Sequence, residues 1–164
     1  MTGGTVQYFN RAITPQDLTK SLTKDARAWT PRISPGSAGS DYIPCQLVLA
    51  EKRQHFTARV GWSFLPMSAI TSGDPQFGWR HSAGDVYSSR MPGTTASRFA
   101  LACQIPKAHE KQASGLPLWV WIDAQNIPDF DGELRENLAS TLARTMSREL
   151  GCMNGPEVPA QLPS

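Results

Sequence analysis

LPLWVWIDAQNIPDFDGELRENLASTLARTMSREL, Leu116 to Leu150, is the stretch on which the fold turns. Its opening residues alternate. Leu116, Leu118, Val120 and Ile122 take one face of an extended segment, and Trp119, Trp121 and Asp123 take the other. Period two with one strongly apolar side reads as a strand packed against a core. After a short turn, Asp131 stands where a helix N-cap belongs, with Glu133 favourable in the first turn. Leu134, Leu138, Leu142, Met146 and Leu150 recur at spacing four, with Ala139 and Ala143 beside them, and Gly151 is a natural stop.

The rest of the chain supplies what such a strand and helix need. Residues 55–64 (HFTARVGWSF) alternate cleanly, with Phe56, Ala58, Val60, Trp62 and Phe64 on one side. Residues 42–50 (YIPCQLVLA) form a hairpin with them through EKRQ, and Pro44 places that strand at an edge or starts it later. Residues 98–105 (RFALACQI) alternate again, and residues 4–10 suit a short first strand. Thr14-Pro15-Gln16-Asp17 opens a second helix, with Leu18, Leu22, Ala26 and Trp29 on one stripe and Pro31 forcing its end. The fold class that follows is α+β: a two-layer sandwich in which an antiparallel sheet of four or more strands carries two amphipathic helices on one face. Residues 1–151 are expected to form this single domain, with a long irregular loop at 65–97. Residues 152–164 are expected to be a Pro-rich C-terminal tail.

Composition bounds the function classes. The chain of 164 residues, 40% hydrophobic with five Trp and six Phe, can bury one core. No apolar run approaches the roughly 20 residues of a membrane helix. The opening MTGGTVQYFNRAI has no apolar core of signal-peptide type, so a cytoplasmic location is the expectation. Cys45, Cys103 and Cys152 are odd in number and far apart, which predicts three reduced, packed thiols. The net charge of +2 conceals an asymmetry: residues 1–122 hold 13 Lys/Arg against 7 Asp/Glu, and residues 123–164 hold 3 against 7. That excess is modest for a dedicated duplex-DNA binder.

No GxSxG, Walker loop, GxGxxG or HExxH spacing occurs, and the three histidines are scattered. No catalytic group and no cofactor is therefore assigned. The sheet face opposite the helices is expected to carry Arg59, Arg98, Trp119 and Trp121, and the 65–97 segment to bring Trp79, Arg80, Tyr87 and Arg90 beside it. Aromatics interleaved with arginine suit a protein interface. The expectation is a non-enzymatic binding or assembly protein whose partner is another protein or a second copy, with no membrane role. Two other classes fit particular residues. A single-stranded nucleic acid could stack on the same Trp/Arg face. A divalent-metal-dependent nuclease could use Asp123, Asp129 and Asp131, although the last two also suit a helix start. The tryptophans have a plainer reading too, in which the 65–97 segment folds over them as packing.

Overall fold

The computed structural model describes residues 8–10, 13–33, 39–49, 53–90 and 95–161. Seven strands form one sheet: β1 (Tyr8–Asn10), β2 (Ser40–Leu49), β3 (Gln54–Trp62), β4 (Trp79–Ala83), β5 (Val86–Arg90), β6 (Ser97–Leu101) and β7 (Leu118–Gln125). Their order across the sheet is β1-β2-β3-β7-β6-β5-β4, and every neighbouring pair is antiparallel. Among the described residues, two long helices, α1 (Pro15–Ala28) and α4 (Gly132–Glu149), cover one face, and two short ones, α2 (Met67–Thr71) and α3 (Gln112–Gly115), lie in connections. This is the α+β sandwich that the periodicities predict.

The ends of the long helices follow from local chemistry. Thr14 caps α1 by accepting from the amide of Asp17 at 3.1 Å, while its hydroxyl donates to the Asp17 carboxylate at 2.7 Å. Pro15 holds the first helical position. Asp131 caps α4 by accepting from the amide of Leu134 at 2.8 Å. At the other end, Gly151 has φ +63°, its N–H donates to Arg148 and the Cys152 N–H donates to Ser147. That pair of bonds is a Schellman close, which requires a left-handed residue where glycine stands.

The main core lies between sheet and helices. Leu18, Leu22 and Ala26 of α1 and Ala139, Ala143 and Met146 of α4 pack on Val60, Trp62, Phe99, Leu101, Leu118, Val120 and Ile122. For α4 this corrects the expected stripe. Its buried side is Glu136, Ala139, Ser140, Ala143 and Met146, whereas Leu134 and Leu138 are exposed. The reason is geometric: at 3.6 residues per turn, a step of four advances the direction by about 40°. Leu134 and Leu150 therefore point nearly opposite ways. The small residues between them let the helix lie close to the sheet.

Three other expectations change. The 65–97 segment is not one irregular loop. It contains α2 and the β4–β5 hairpin, turned through Gly84-Asp85, with Gly84 at φ +55°. Each arm is five residues, too short for alternation to stand out. β2 runs through Pro44, with its register slipping between Tyr42 and Cys45. β1 covers only Gln46–Val48, so Pro44 lies on a stretch of edge where β1 asks no amide of it. The first strand is described over Tyr8–Asn10, and residues 4–7 lie outside the described residues.

The cysteines also differ. Cys103 and Cys152 form a disulfide with Cα atoms 5.0 Å apart, and Cys45 alone is free. Far separation in sequence says nothing against proximity at the end of β6. Beyond this bridge the described residues, 153–161, form no helix or strand but are strapped down. Met153 donates its amide to Gln104, the Asn154 side chain bridges the Gln104 amide and the Ala102 carbonyl, and Glu157 meets Asp85 of the hairpin turn. Ser140 of α4 donates to the Pro159 carbonyl. Among the described residues, no helix is long and apolar enough to cross a membrane.

Candidate functional site

Strand alternation places a second set of side chains on the face away from the long helices. Register lines them up in rows. One row runs Arg59–Trp121–Arg98–Ser89–Trp79 across β3, β7, β6, β5 and β4. The next runs Gly61–Trp119–Ala100–Tyr87–His81 across the same strands. The first row holds two arginines and two tryptophans, and each cation stands over a ring. Arg59 Cζ is 4.9 Å from the Trp121 centroid and Arg98 Cζ is 5.4 Å from that of Trp79.

Part of this face is a small second core. Ile70, Trp79, Ala100 and Trp119 are buried together, with Leu65, Met67, Phe77, Tyr87 and Trp121 packed around them. The segment carrying α2 is the cover. Trp79 keeps 7% of its surface and Trp119 keeps 8%. The Trp119 indole crosses Gly61 to donate to the Ser40 carbonyl at 3.2 Å. A Cβ at position 61 would collide with that carbonyl and the indole nitrogen, so the crossing requires glycine. Trp79 and Trp119 are therefore packing residues, and the plainer reading of them holds.

The remaining part of the face is less covered. Trp121 is partly exposed. Arg59 forms a salt bridge with Asp41 at 2.8 Å. Arg98 is half-buried, and its one hydrogen bond among the described residues goes to Ser89 Oγ at 3.0 Å. Burial pulls its guanidinium pKa below the ordinary arginine value, since desolvation disfavours the charged form. Arg98 Nε, Trp121 Nε1 and Trp79 Nε1 are all buried and have no acceptor among the described residues. On the strand beyond, Asp123 accepts from Thr95 at 2.7 Å and from Gln125 at 3.1 Å.

Six of the eight residues expected at the working surface thus share this face: Arg59, Arg98, Trp119, Trp121, Trp79 and Tyr87. Arg80 does not. It pairs with Ser88, whose own partner is the core residue Phe99, so it takes the opposite parity from Trp79 and is exposed. Adjacent residues of a strand cannot serve one face. Arg90 ends β5 opposite Ser97, and its side chain lies outside the described residues. Sequence reading missed Asp41 and Ser89, whose roles come from cross-strand register and leave no local signal.

The acidic residues do not assemble a metal centre. Asp131 is engaged as the helix cap and Asp123 in hydrogen bonds on the sheet, while Asp129 is exposed at φ +61° in the turn between them. Among the described residues, no three His, Cys, Asp or Glu side chains converge to hold an ion. A groove of about 680 Å³ lies elsewhere, between the start of α1 and the end of α4, lined by Ile13, Pro15, Leu18, Leu142 and Met146 among others. Its lining also includes the charged residues Lys20 and Glu149. No family model matches this chain, and neither curated proteins nor solved structures provide a match.

Proposed function

We propose that this chain is a non-enzymatic binding protein that engages a protein partner through the less covered end of the second sheet face. The contact residues are Trp121, Arg59 and Arg98. The observation that carries the reading is Arg98, a half-buried cation that has no carboxylate partner among the described residues, beside an indole N–H that finds no acceptor among them. Trp and Arg are the residue types that anchor protein interfaces. The partner-binding role expected of Trp79 and Trp119 passes to these three, since the two buried tryptophans hold the face in shape.

Stacking of a single-stranded nucleic acid finds less support. Only Trp121 of the three tryptophans is partly open, and base-stacking surfaces use successive rings. A cytoplasmic location is weakened by the Cys103–Cys152 bridge, because disulfides persist in oxidising compartments.

A photo-crosslinking residue at Gln125, exposed at the end of β7 on this face, tests the proposal in cells. A discrete protein adduct should form there, should disappear in Trp121→Ala, and should not form from exposed Arg144 on α4. An adduct to nucleic acid, or one indifferent to Trp121, overturns the reading.

A further inference from the structure

Two arginines on one row are served very differently. Arg59 has the Asp41 carboxylate at 2.8 Å and the Trp121 ring beneath it. Arg98 offers five N–H donors and uses one of them, on Ser89. No carboxylate of the described residues stands within ion-pair range of it. Its Nε is buried and unpaired, as are the indole nitrogens of Trp121, its Cα partner on β7, and of Trp79, whose ring its guanidinium overlies. Two of these donors belong to one stacked pair, Arg98 over Trp79, and the third is on the neighbouring strand β7. Unmet buried donors are costly, and an unpaired buried charge more so, which makes such a cluster exceptional in a folded protein. All three lack the same thing, an acceptor, and the charge calls for a negative one.

We propose that Arg98 anchors a single carboxylate of a protein partner, either an acidic side chain or a chain end. This rests on the docking face inferred above and names the group recognised there. A guanidinium meets a carboxylate in a planar, two-pronged geometry. A phosphodiester chain fits less well, because Asp41 and Asp123 lie on the same face, beside Arg59 and Trp121, and repel a polyanion. Arg98 Nε and the two indole nitrogens are buried, so reaching them requires neighbouring side chains to move.

The test uses the full chain labelled with nitrogen-15, titrated with acetate and then with a blocked peptide bearing one glutamate. Chloride and inorganic phosphate at matched ionic strength are the references. The Arg98 Nε–H and the two indole N–H resonances should shift together and saturate. Arg98→Gln should weaken the response at least tenfold with an unchanged melting temperature. If that variant does not fold, Arg98→Lys is read instead, and the same loss is expected because lysine keeps the charge without the fork. The proposal is overturned if the wild-type chain shows no saturable response or only the response seen with chloride. It is also overturned if the Arg98 variants bind as the wild type does, or if phosphate binds tenfold more tightly than carboxylate. Crosslinking from Gln125 reads the face independently. An adduct that persists while the titration fails keeps the docking face and removes the carboxylate anchor.

Discussion

Trp62 of β3 donates its indole N–H to the main-chain carbonyl of Leu22 in α1, 2.9 Å away, inside the main core. Both residues are fully buried. The bond fixes the height of the helix on the sheet where dispersion contacts alone would allow it to slide.

Trp62→Phe removes the donor and some ring volume. A hydrogen bond of this kind contributes about 0.5–1.5 kcal/mol net, so the loss should reach at least ~1 kcal/mol. Trp62→Ala should cost about 3–5 kcal/mol. Urea midpoints on the three proteins check the ordering, and equal stability of Phe and Trp at this site would remove the bond from the account.

The Cys103–Cys152 bridge spans a sequence separation of 49. Reduction, or Cys152→Ser, should lower stability by about 2–4 kcal/mol through the freedom returned to the unfolded chain. Guanidinium melts with and without reductant measure it. An unchanged midpoint would mean that Met153 and Asn154 hold that end without help.

Along α4, Met146→Ala should cost about 2–5 kcal/mol, because Met146 is buried. Leu134→Ala should stay within about 0.5 kcal/mol, as for other exposed sites. Denaturation of the pair decides which side of the helix is core. A reversed order would restore the spacing-four stripe.

Trp79→Ala should lower stability by about 3–5 kcal/mol, the usual cost of deleting a buried tryptophan. The change acts on the second core, so the melting temperature should fall whether or not a partner is present. A variant that melts normally would place Trp79 at the surface.

Asp131→Ala should cost about 1 kcal/mol and Asp131→Asn far less, since both Asp and Asn cap helices. Helix content and thermal melts of the two variants test this. Equal losses would point to a role for the charge itself.

Elements with long, regular patterns were legible in the sequence. The β3 and β7 alternations and the Thr14-Pro15 start of α1 appear in the structure within a residue or two of where the pattern puts them. The β4–β5 hairpin was not, because five-residue arms carry too few alternations to rise above chance. The α4 stripe misled because leucines at spacing four look like one face while winding around the helix. At the site, parity identified Arg59, Arg98, Trp119 and Trp121 as companions. Which tryptophans are covered depended on where α2 lies, and the Asp41 and Ser89 partners depended on register between strands. Neither is a property of any one segment.

The strand order has a consequence for synthesis. β1, β2 and β3 pair in chain order and β4, β5 and β6 do likewise, and β7 lies between the two sets. A chain emerging from its N-terminus therefore has six strands in hand before the one that joins them. Until Leu118–Gln125 arrives, β3 and β6 each present a bare edge able to recruit foreign strands. A chain cut between residues 101 and 118 yields two open half-sheets, and never a smaller version of the whole.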